Sequence, residues 1–104
     1  MNLKMKKIKK IHLTGIKGVG MTPLAIIAKE AGFSISGSDL GEEFITDAAL
    51  EKAGIKNISE FSSGNIDDAE LIITTGAHGG FDNPEVVEAQ KRDIPVWTQG
   101  QAVG

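Results

Sequence analysis

Short apolar, β-prone runs alternate with helix-length segments along this chain, and this alternation constrains its fold more than any other feature. Four runs are clear, at Lys9–Thr14, in FSISGS, at Leu71–Thr75 and in IPVWT, and IKNISEF is a weaker candidate. Strands separated by helical segments of about a dozen residues are joined by right-handed crossovers into a parallel sheet. The pattern predicts an α/β, Rossmann-like, doubly wound domain with three α/β/α layers and a mainly parallel sheet.

The first predicted helix lies in GMTPLAIIAKEAG. Pro23 is tolerated only within the first turn of a helix, so the helix should begin near Gly20. Gly32 supplies the left-handed residue that commonly ends a helix. Apolar residues recur at helical spacing, which predicts that the face toward the sheet comprises Leu24, Ile27, Ala28 and Ala31.

Two further helices are predicted downstream. Thr46 or Asp47 can cap a helix through AALEKAG, which Gly54 ends. In DNPEVVEAQKRD, residues 83–85 provide an N-cap asparagine, a proline at the first helical position and a carboxylate at the positive helix end. The final QGQAVG contains no recognisable helix stop.

Length and composition favour one small cytoplasmic domain. At 104 residues the chain has room for one core, and it has no cysteine for disulfides or thiolate chemistry. No apolar run approaches the roughly 20 residues of a membrane helix, and no secretory signal follows the basic start. We therefore expect no membrane association.

Charge is distributed unevenly. Five lysines fall in the first ten residues, and the rest of the chain carries 6 basic and 14 acidic side chains. A basic arm could contact nucleic acid, but no arginine or aromatic residue accompanies these lysines. We therefore interpret the arm as the solvated entry to the first strand and expect no nucleic-acid partner.

A glycine-rich loop, residues 15–20, follows the first strand. Against the dinucleotide pattern G-x-G-x-x-G, Gly15 and Gly20 match the first and third glycines, and Lys17 occupies the second position. The second glycine normally lets backbone approach a pyrophosphate, so close approach must shift to Gly18, or the lysine must supply charge. The helix N-terminus that follows is an anion site in either case.

Asp39 follows Gly20 by 19 residues, where dinucleotide folds place a ribose-binding acid. The loop in its strand–loop–helix context and this aspartate together indicate a nucleotide diphosphate ligand. The alternative is a glycine turn selected only for tight packing, which accounts for Gly15 and Gly20 but leaves Gly18 and Asp39 without a reason.

A second glycine-rich segment, TTGAHGGFDNPE, follows the most apolar strand. Its glycines permit backbone exposure to a ligand, and His78 could donate to one, or the segment could be a flexible loop with a solvated histidine. His12, in mid-strand, is expected to be packed or helix-facing and not a ligand-binding residue. No catalytic set, metal-ligand spacing or G-x-x-x-x-G-K-[ST] loop for ATP is present.

The segments IHLTGIKGVGM, SGSDL and DNPEVVEAQKRDIPV together resemble the N-terminal domain of the Mur ligases, in family order and spacing from about Ile11 to Gly104. Within that family, the motifs are nearest to members that join L-alanine to UDP-N-acetylmuramate. The resemblance implies a five-stranded parallel sheet that binds this UDP-sugar instead of NAD. Many members have glycine where Lys17 stands, although lysine also occurs.

The resemblance also implies roles for individual residues. The loop would hold the pyrophosphate, Ser38 and Asp39 would lie toward the ribose and uridine, and three residues after the fourth strand would close the pocket. The family commonly has small residues followed by an apolar one where TTGAH stands, so His78 departs from its pattern. The implied substrate-binding residues are Gly15, Lys17, Gly18, Val19, Gly20, Met21, Ser38, Asp39, Gly76, Ala77 and His78.

Full-length Mur ligases also carry a central ATPase domain and a C-terminal domain, and use ATP and Mg²⁺. The resemblance thus implies that residues 1–104 are one UDP-N-acetylmuramate-binding domain without catalytic or metal-ligating residues. We expect the other two domains, as partners of this one, to lie outside this chain. Two alternatives stay open: the same domain of a ligase that recycles murein peptide, and a stand-alone module that senses NAD or another nucleotide.

Overall fold

A computed structural model describes residues 8–41, 44–77 and 79–103 of the chain. Strands and helices alternate, as the sequence predicts, and two short 3₁₀ turns lie at Ser63–Ile66 and Gly80–Asp82. The lysines before residue 8, and the predicted ligand residue His78, lie outside the described residues. The elements in chain order are β1 (Lys10–Thr14), α1 (Met21–Glu30), β2 (Ser34–Ser38), α2 (Asp47–Lys52), β3 (Asn57–Ile58), β4 (Leu71–Thr74), α3 (Pro84–Lys91), β5 (Val96–Thr98) and α4 (Gln99–Val103).

The five strands form one sheet in the order β3-β2-β1-β4-β5, and every neighbouring pair is parallel. The predicted doubly wound parallel sheet is therefore confirmed. The chain winds outward from β1 in one direction through β2 and β3, then returns to the other side of β1 for β4 and β5. Thr14 aligns with Ser38 on one side and with Thr74 on the other, so the carboxyl ends of the central strands meet in one row.

Two helical layers cover the sheet. Leu13 and Ile73 point to the face covered by α1, α2 and α4, where they join the larger apolar cluster with residues such as Leu24 and Leu50. The opposite face is covered by α3 and the first 3₁₀ turn, and Ile72 packs there with Ile66 and Ala89. The three-layer arrangement follows from strands that are buried on both faces; all four residues of β4 are buried.

The sheet-facing side of α1 differs from the predicted one. Leu24 and Ala28 are buried as expected, but Ile27 is 63% exposed and Ala31 is also exposed. Met21 and Ala25 take their places, since the stripe Met21, Leu24, Ala25 and Ala28 has the i, i+3, i+4, i+7 spacing that faces a flat sheet. The prediction chose the neighbouring stripe because both contain four apolar residues.

Helix ends largely follow the predicted signals. Gly32 and Gly54 have φ of +104° and +75°, the left-handed conformation expected of helix-ending glycines. Asn83 caps α3 by accepting a hydrogen bond from the Glu85 N–H at 2.9 Å. Thr46 is the N-cap residue of α2, but its hydroxyl donates instead to the Lys17 carbonyl at 2.6 Å. The helix α4 was not predicted, because QGQAV carries no strong start or stop signal.

Gly37 in β2 provides the space for a residue of the glycine loop. A Cβ built on Gly37 would lie 2.3 Å from Ile16 Cδ1 and 2.7 Å from its Cβ. Ile16 is fully buried, so it has no solvent-exposed position to retreat to. The first turn of the loop is therefore packed directly onto the backbone of the neighbouring strand.

Among the described residues, no helix is both long and apolar enough to cross a membrane.

Candidate functional site

Two predicted ligand-binding segments lie side by side at the carboxyl edge of the sheet. The glycine loop, residues 15–20, leaves β1, and the segment beginning at Thr75 leaves the adjacent strand β4. The Thr75 N–H donates to the Thr14 carbonyl at 3.1 Å, which joins the starts of the two segments. The chain reverses its winding direction between β1 and β4, and open parallel sheets bind ligands at that position.

Backbone hydrogen bonds hold the glycine loop in one conformation. Gly15 has φ of +86°, which a residue with a side chain rarely adopts, and its N–H donates to the Ser38 carbonyl at 2.9 Å. The Gly18 N–H returns to the Gly15 carbonyl at 3.1 Å, and the Gly18 carbonyl accepts from the first turn of α1. The loop is thus a tight turn that leads directly into a helix.

The tip of the loop presents backbone donors to solvent. Val19 is 79% exposed, and within residues 8–41, 44–77 and 79–103 no protein acceptor is found for the N–H of Val19 or Gly20. These groups lie at the positive end of α1, a helix of 10 residues with no acidic residue in its first turn. Such an end attracts a phosphate.

Lys17 points away from that tip and toward α2. Its side chain is only 8% exposed, and its Nζ lies 3.1 Å from Asp47 Oδ1. The ammonium also lies 5.3 Å from the centre of the Phe44 ring, within the range of a cation–π contact. The Phe44 N–H and the Lys17 ammonium both lower the pKa of Asp47. Lys17 thus holds the loop against Phe44 and the first residue of α2.

Asp39 supports the glycine loop from the end of β2. Its carboxylate accepts from the Lys17 N–H at 2.9 Å and from the Leu40 N–H at 2.8 Å, and the residue is 2% exposed. A carboxylate held by two backbone donors is fixed in position. In this structure, therefore, the acid at the ribose-binding position of a dinucleotide fold orders the loop itself.

Ser38 and Met21 contribute backbone groups at the site while their side chains point inward. The Ser38 hydroxyl is buried and donates to Glu85 on α3, whereas its carbonyl holds the Gly15 and Ile16 N–H groups. Met21 is 1% exposed and belongs to the larger apolar cluster. Neither side chain is positioned for direct ligand contact.

Gly76 and Ala77 are exposed beside the glycine loop. A Cβ built on Gly76 would meet no atom within 4 Å, so the backbone there faces open space. The Ala77 carbonyl accepts from the Gly80 N–H at 3.1 Å, which closes a turn before α3. These two predicted site residues are therefore exposed at the same edge of the sheet as the glycine loop.

Gln99 is a member of this edge that sequence reasoning missed. A Cβ on Gly20 would lie 2.3 Å from Gln99 Nε2 and 2.8 Å from Oε1, so the carboxamide rests on the backbone of Gly20. Because Gly20, the third glycine of the pattern, has no side chain, the Gln99 side chain at the start of α4 can pack against its backbone. The only sequence signal is that Gln99 directly follows the last predicted strand.

A buried polar cluster lies under the same edge on the α3 face. His12 is fully buried, with Nδ1 2.8 Å from Ser36 Oγ and Nε2 2.9 Å from Glu85 Oε1. The expectation that His12 is packed or helix-facing is confirmed, since its ring is buried and contacts Glu85 on α3. Burial raises the pKa of Glu85, but hydrogen bonds from His12, Ser38 and Asn65 outweigh it and bring the pKa to about 2. The positive N-terminus of α3 is therefore not the only feature that holds the Glu85 carboxylate in place.

A cavity of about 540 Å³ lies next to Lys17, between α2 and β3. Its size is within the range of small-molecule pockets. Lys17 and Asp47 line this cavity. Its other lining residues are Leu50, Glu51, Gly54, Ile55, Lys56, Asn57 and Ser59.

The described part of the chain contains no cluster of three or more histidine, aspartate or glutamate side chains that could hold a metal ion. That ATP and Mg²⁺ are bound by the full-length ligase, outside this chain, stays a prediction. The arrangement suits recognition of an anionic ligand by backbone groups.

Comparison with known proteins finds a matching family and similar sequences for this chain. The sequence profile described as "Mur ligase family, catalytic domain" matches residues 10–104. A UDP-N-acetylmuramate–L-alanine ligase of Desulfitobacterium hafniense is 40% identical over 95 residues, covering 90% of this chain and 21% of the relative. The corresponding ligase of Acetivibrio thermocellus is 41% identical over 98 residues, covering 94% of this chain and 20% of the relative.

Solved structures agree with this grouping. The UDP-N-acetylmuramate-alanine ligase of Thermotoga maritima has a TM-score of 0.76 at 37% identity, covering 86% of this chain and 20% of that protein. A UDP-N-acetylmuramate:L-alanyl-γ-D-glutamyl-meso-diaminopimelate ligase from Neisseria meningitides has a TM-score of 0.73 at 34% identity, covering 90% and 29% respectively. The chain spans about a fifth of the length of the curated relatives it matches.

Proposed function

Because this chain belongs to the Mur ligase family, we propose that it is the sugar-nucleotide-binding domain of an ATP-dependent ligase that joins L-alanine to UDP-N-acetylmuramate. In such an enzyme a carbon–nitrogen bond is formed between the muramoyl carboxyl group and the amino acid. The enzyme would act in the cytoplasm, in the synthesis of peptidoglycan precursors.

The open start of α1 carries this proposal. The Val19 and Gly20 N–H groups at the loop tip suit the pyrophosphate of a UDP-sugar, and Gly76 and Ala77 border the same space. The nucleoside would extend from there toward Asp39 and Lys17. The names of relatives about 40% identical over nine-tenths of the chain support this choice of nucleotide.

Other parts of the enzyme would perform the chemistry. ATP and Mg²⁺ would be bound by a central domain, and the amino acid would be selected by residues outside this chain. The role of residues 1–104 is to bind and orient the sugar nucleotide. We therefore expect no ATP-dependent amide formation by this chain alone.

Calorimetric titration tests the proposal directly. We expect the chain to bind UDP-N-acetylmuramate and to give no heat of binding with NADH. Tight binding of NADH without response to UDP-sugars would instead support a stand-alone nucleotide-sensing module and overturn the proposal. UDP and uridine, titrated separately, would show whether affinity depends on the pyrophosphate.

A murein-peptide recycling ligase is the second candidate, since a diaminopimelate-peptide ligase is among the similar structures at 34% identity. Both candidates require the same sugar nucleotide, so binding by this domain does not separate them. The gene's full-length product should be assayed with L-alanine and, separately, with the tripeptide. Turnover with the tripeptide and none with L-alanine would favour the second candidate.

A further inference from the structure

The buried carboxylate of Glu85 accepts hydrogen bonds from three parts of the fold: β1, β2 and residues 62–65. Its Oε1 accepts from His12 Nε2 at 2.9 Å, Thr14 Oγ1 at 2.8 Å and Ser38 Oγ at 2.6 Å. Its Oε2 accepts from Asn65 Nδ2 at 2.8 Å and the Ser62 N–H at 3.2 Å. The side chain is fully buried, so the charge depends on these donors and on the positive N-terminus of α3 for compensation.

Two of these donors, Thr14 and Ser38, lie at the carboxyl edge of the sheet, next to the glycine loop. Thr14 immediately precedes the glycine loop, and its carbonyl holds the Thr75 N–H at the start of the second segment. Ser38 holds the loop itself, because its carbonyl accepts from Gly15 at 2.9 Å and Ile16 at 3.1 Å. Glu85 therefore contacts, through one bond each, the residues that position both segments.

The chemistry of the cluster requires an acceptor at this position. Ser38 and Thr14 donate their hydroxyl protons to the carboxylate, and His12 donates from Nε2, since an ionised carboxylate only accepts. Glutamine has nearly the same shape, but its NH₂ group would place two donors against groups that also donate. Such a replacement leaves buried donors unsatisfied and gives Ser38 a neutral, weaker acceptor in place of a carboxylate.

We infer that Glu85 is a positioning residue for the glycine loop: through the Ser38 hydroxyl it fixes the carbonyl that holds the Gly15 and Ile16 N–H groups, and so sets the loop conformation that receives the ligand phosphates. The identity of that ligand rests on the proposed function. The positioning itself does not, because it can be measured without ligand.

The test combines amide hydrogen exchange with a double-mutant cycle. In Glu85→Gln we expect the Gly15 and Ile16 amides of the ligand-free chain to exchange about tenfold faster or more. The exchange rates of core amides, such as that of Leu13, should change only as far as the global stability changes. Ser38→Ala removes the same contact at lower risk to the fold and should accelerate the same two amides. Glu88→Gln, one turn along α3 and paired with Arg92, is the matched control and should leave them unchanged.

Affinity for UDP-N-acetylmuramate provides the second readout. We expect Glu85→Gln to weaken binding by about tenfold, and to weaken it much less in a Ser38→Ala background, because the effect passes through Ser38. Additive effects on affinity, or unchanged Gly15 and Ile16 exchange in both folded variants, would overturn the inference. If the unmodified chain does not bind the sugar nucleotide, the proposed function fails, and the exchange rates still decide the role of Glu85.

Discussion

Lys17 places a positive charge in the glycine loop, but its ammonium is already paired. It lies 3.1 Å from the Asp47 carboxylate and 5.3 Å from the centre of the Phe44 ring. From the sequence, a lysine at the second glycine position could equally have faced a phosphate. At the scale of single residues, its place in this structure assigns it to the packing of the loop against α2.

Replacing Lys17 with methionine keeps most of the stem and removes the charge. We expect the free energy of unfolding to fall by about 1 kcal/mol, because an ion pair and a cation–π contact of modest strength are lost. The affinity for UDP-N-acetylmuramate should change by less than about threefold. Urea unfolding and calorimetry measure the two effects, with exposed Lys52→Met as the control. A loss of affinity of about 1–2 kcal/mol would mean that the ammonium contacts phosphate.

Gly18 is predicted to matter for the ligand more than for the fold. A Cβ there would meet Gly15 O and Met21 Cγ at 3.4 Å, which is ordinary contact. Gly18→Val should therefore lower stability by about 1 kcal/mol or less, yet abolish detectable sugar-nucleotide binding by filling the space a phosphate needs. Gly100→Ala on α4 is the control, and retention of binding by Gly18→Val would refute a close approach at this glycine.

At the scale of secondary-structure elements, α3 is anchored by the first-turn carboxylate of Glu85. The pKa of this group is about 2 in the folded chain, against 4.5 for an ordinary glutamate. A lowered folded-state pKa adds stability that is complete above pH 4.5 and is lost as the pH falls through about 2. The maximum loss is about 3 kcal/mol.

Denaturant unfolding at about pH 6, above the titration of Glu85, and at about pH 4 and pH 3, within it, measures the contribution of this group. We expect the unmodified chain to lose stability mainly below pH 4.5, the ordinary pKa of a glutamate. In Glu85→Gln the stability should be lower at the highest pH, and its loss on acidification smaller, whereas Glu88→Gln should keep the slope of the unmodified chain. Equal slopes in all three proteins would show that Glu85 is not lowered in pKa.

The elements themselves were largely predictable because their signals are local. Asn83 and Pro84 mark the start of α3, Gly32 ends α1, and the apolar run of β4 indicates burial on both faces. The buried stripe of α1 was not predictable, since helical spacing selects a face only to within one neighbouring row of side chains. The helix α4 was missed because its short sequence depends on packing against β4 and β5 for stability.

At the scale of the whole molecule, ligand binding should raise the stability of the entire domain. A ligand that binds only the folded state adds about 2.7 kcal/mol when its concentration is 100 times the dissociation constant. We expect thermal unfolding to shift upward with UDP-N-acetylmuramate in this proportion and to remain unchanged with NADH. A shift caused by NADH alone would contradict the proposed ligand.

The position of the candidate site was predictable, but the roles within it were not. Parallel strands bring the segments after β1 and β4 to one edge, so the sequence order of motifs was sufficient to locate them. The partners of Asp39, Lys17 and Ser38 depend on side-chain directions across the sheet, which the spacing of motifs does not encode. The same limit hid the contact between Gln99 and Gly20, which joins residues far apart in the chain.

The packing of Ile16 onto Gly37 links two positions that no motif connects. A side chain at position 37 requires a smaller side chain at position 16, because both positions lie in an interior with little free volume. In a library randomised at both positions, folded members should therefore conserve the combined volume of the pair. An alanine at 37 would be accepted mainly with a smaller residue at 16, so substitution records at these two positions should be correlated.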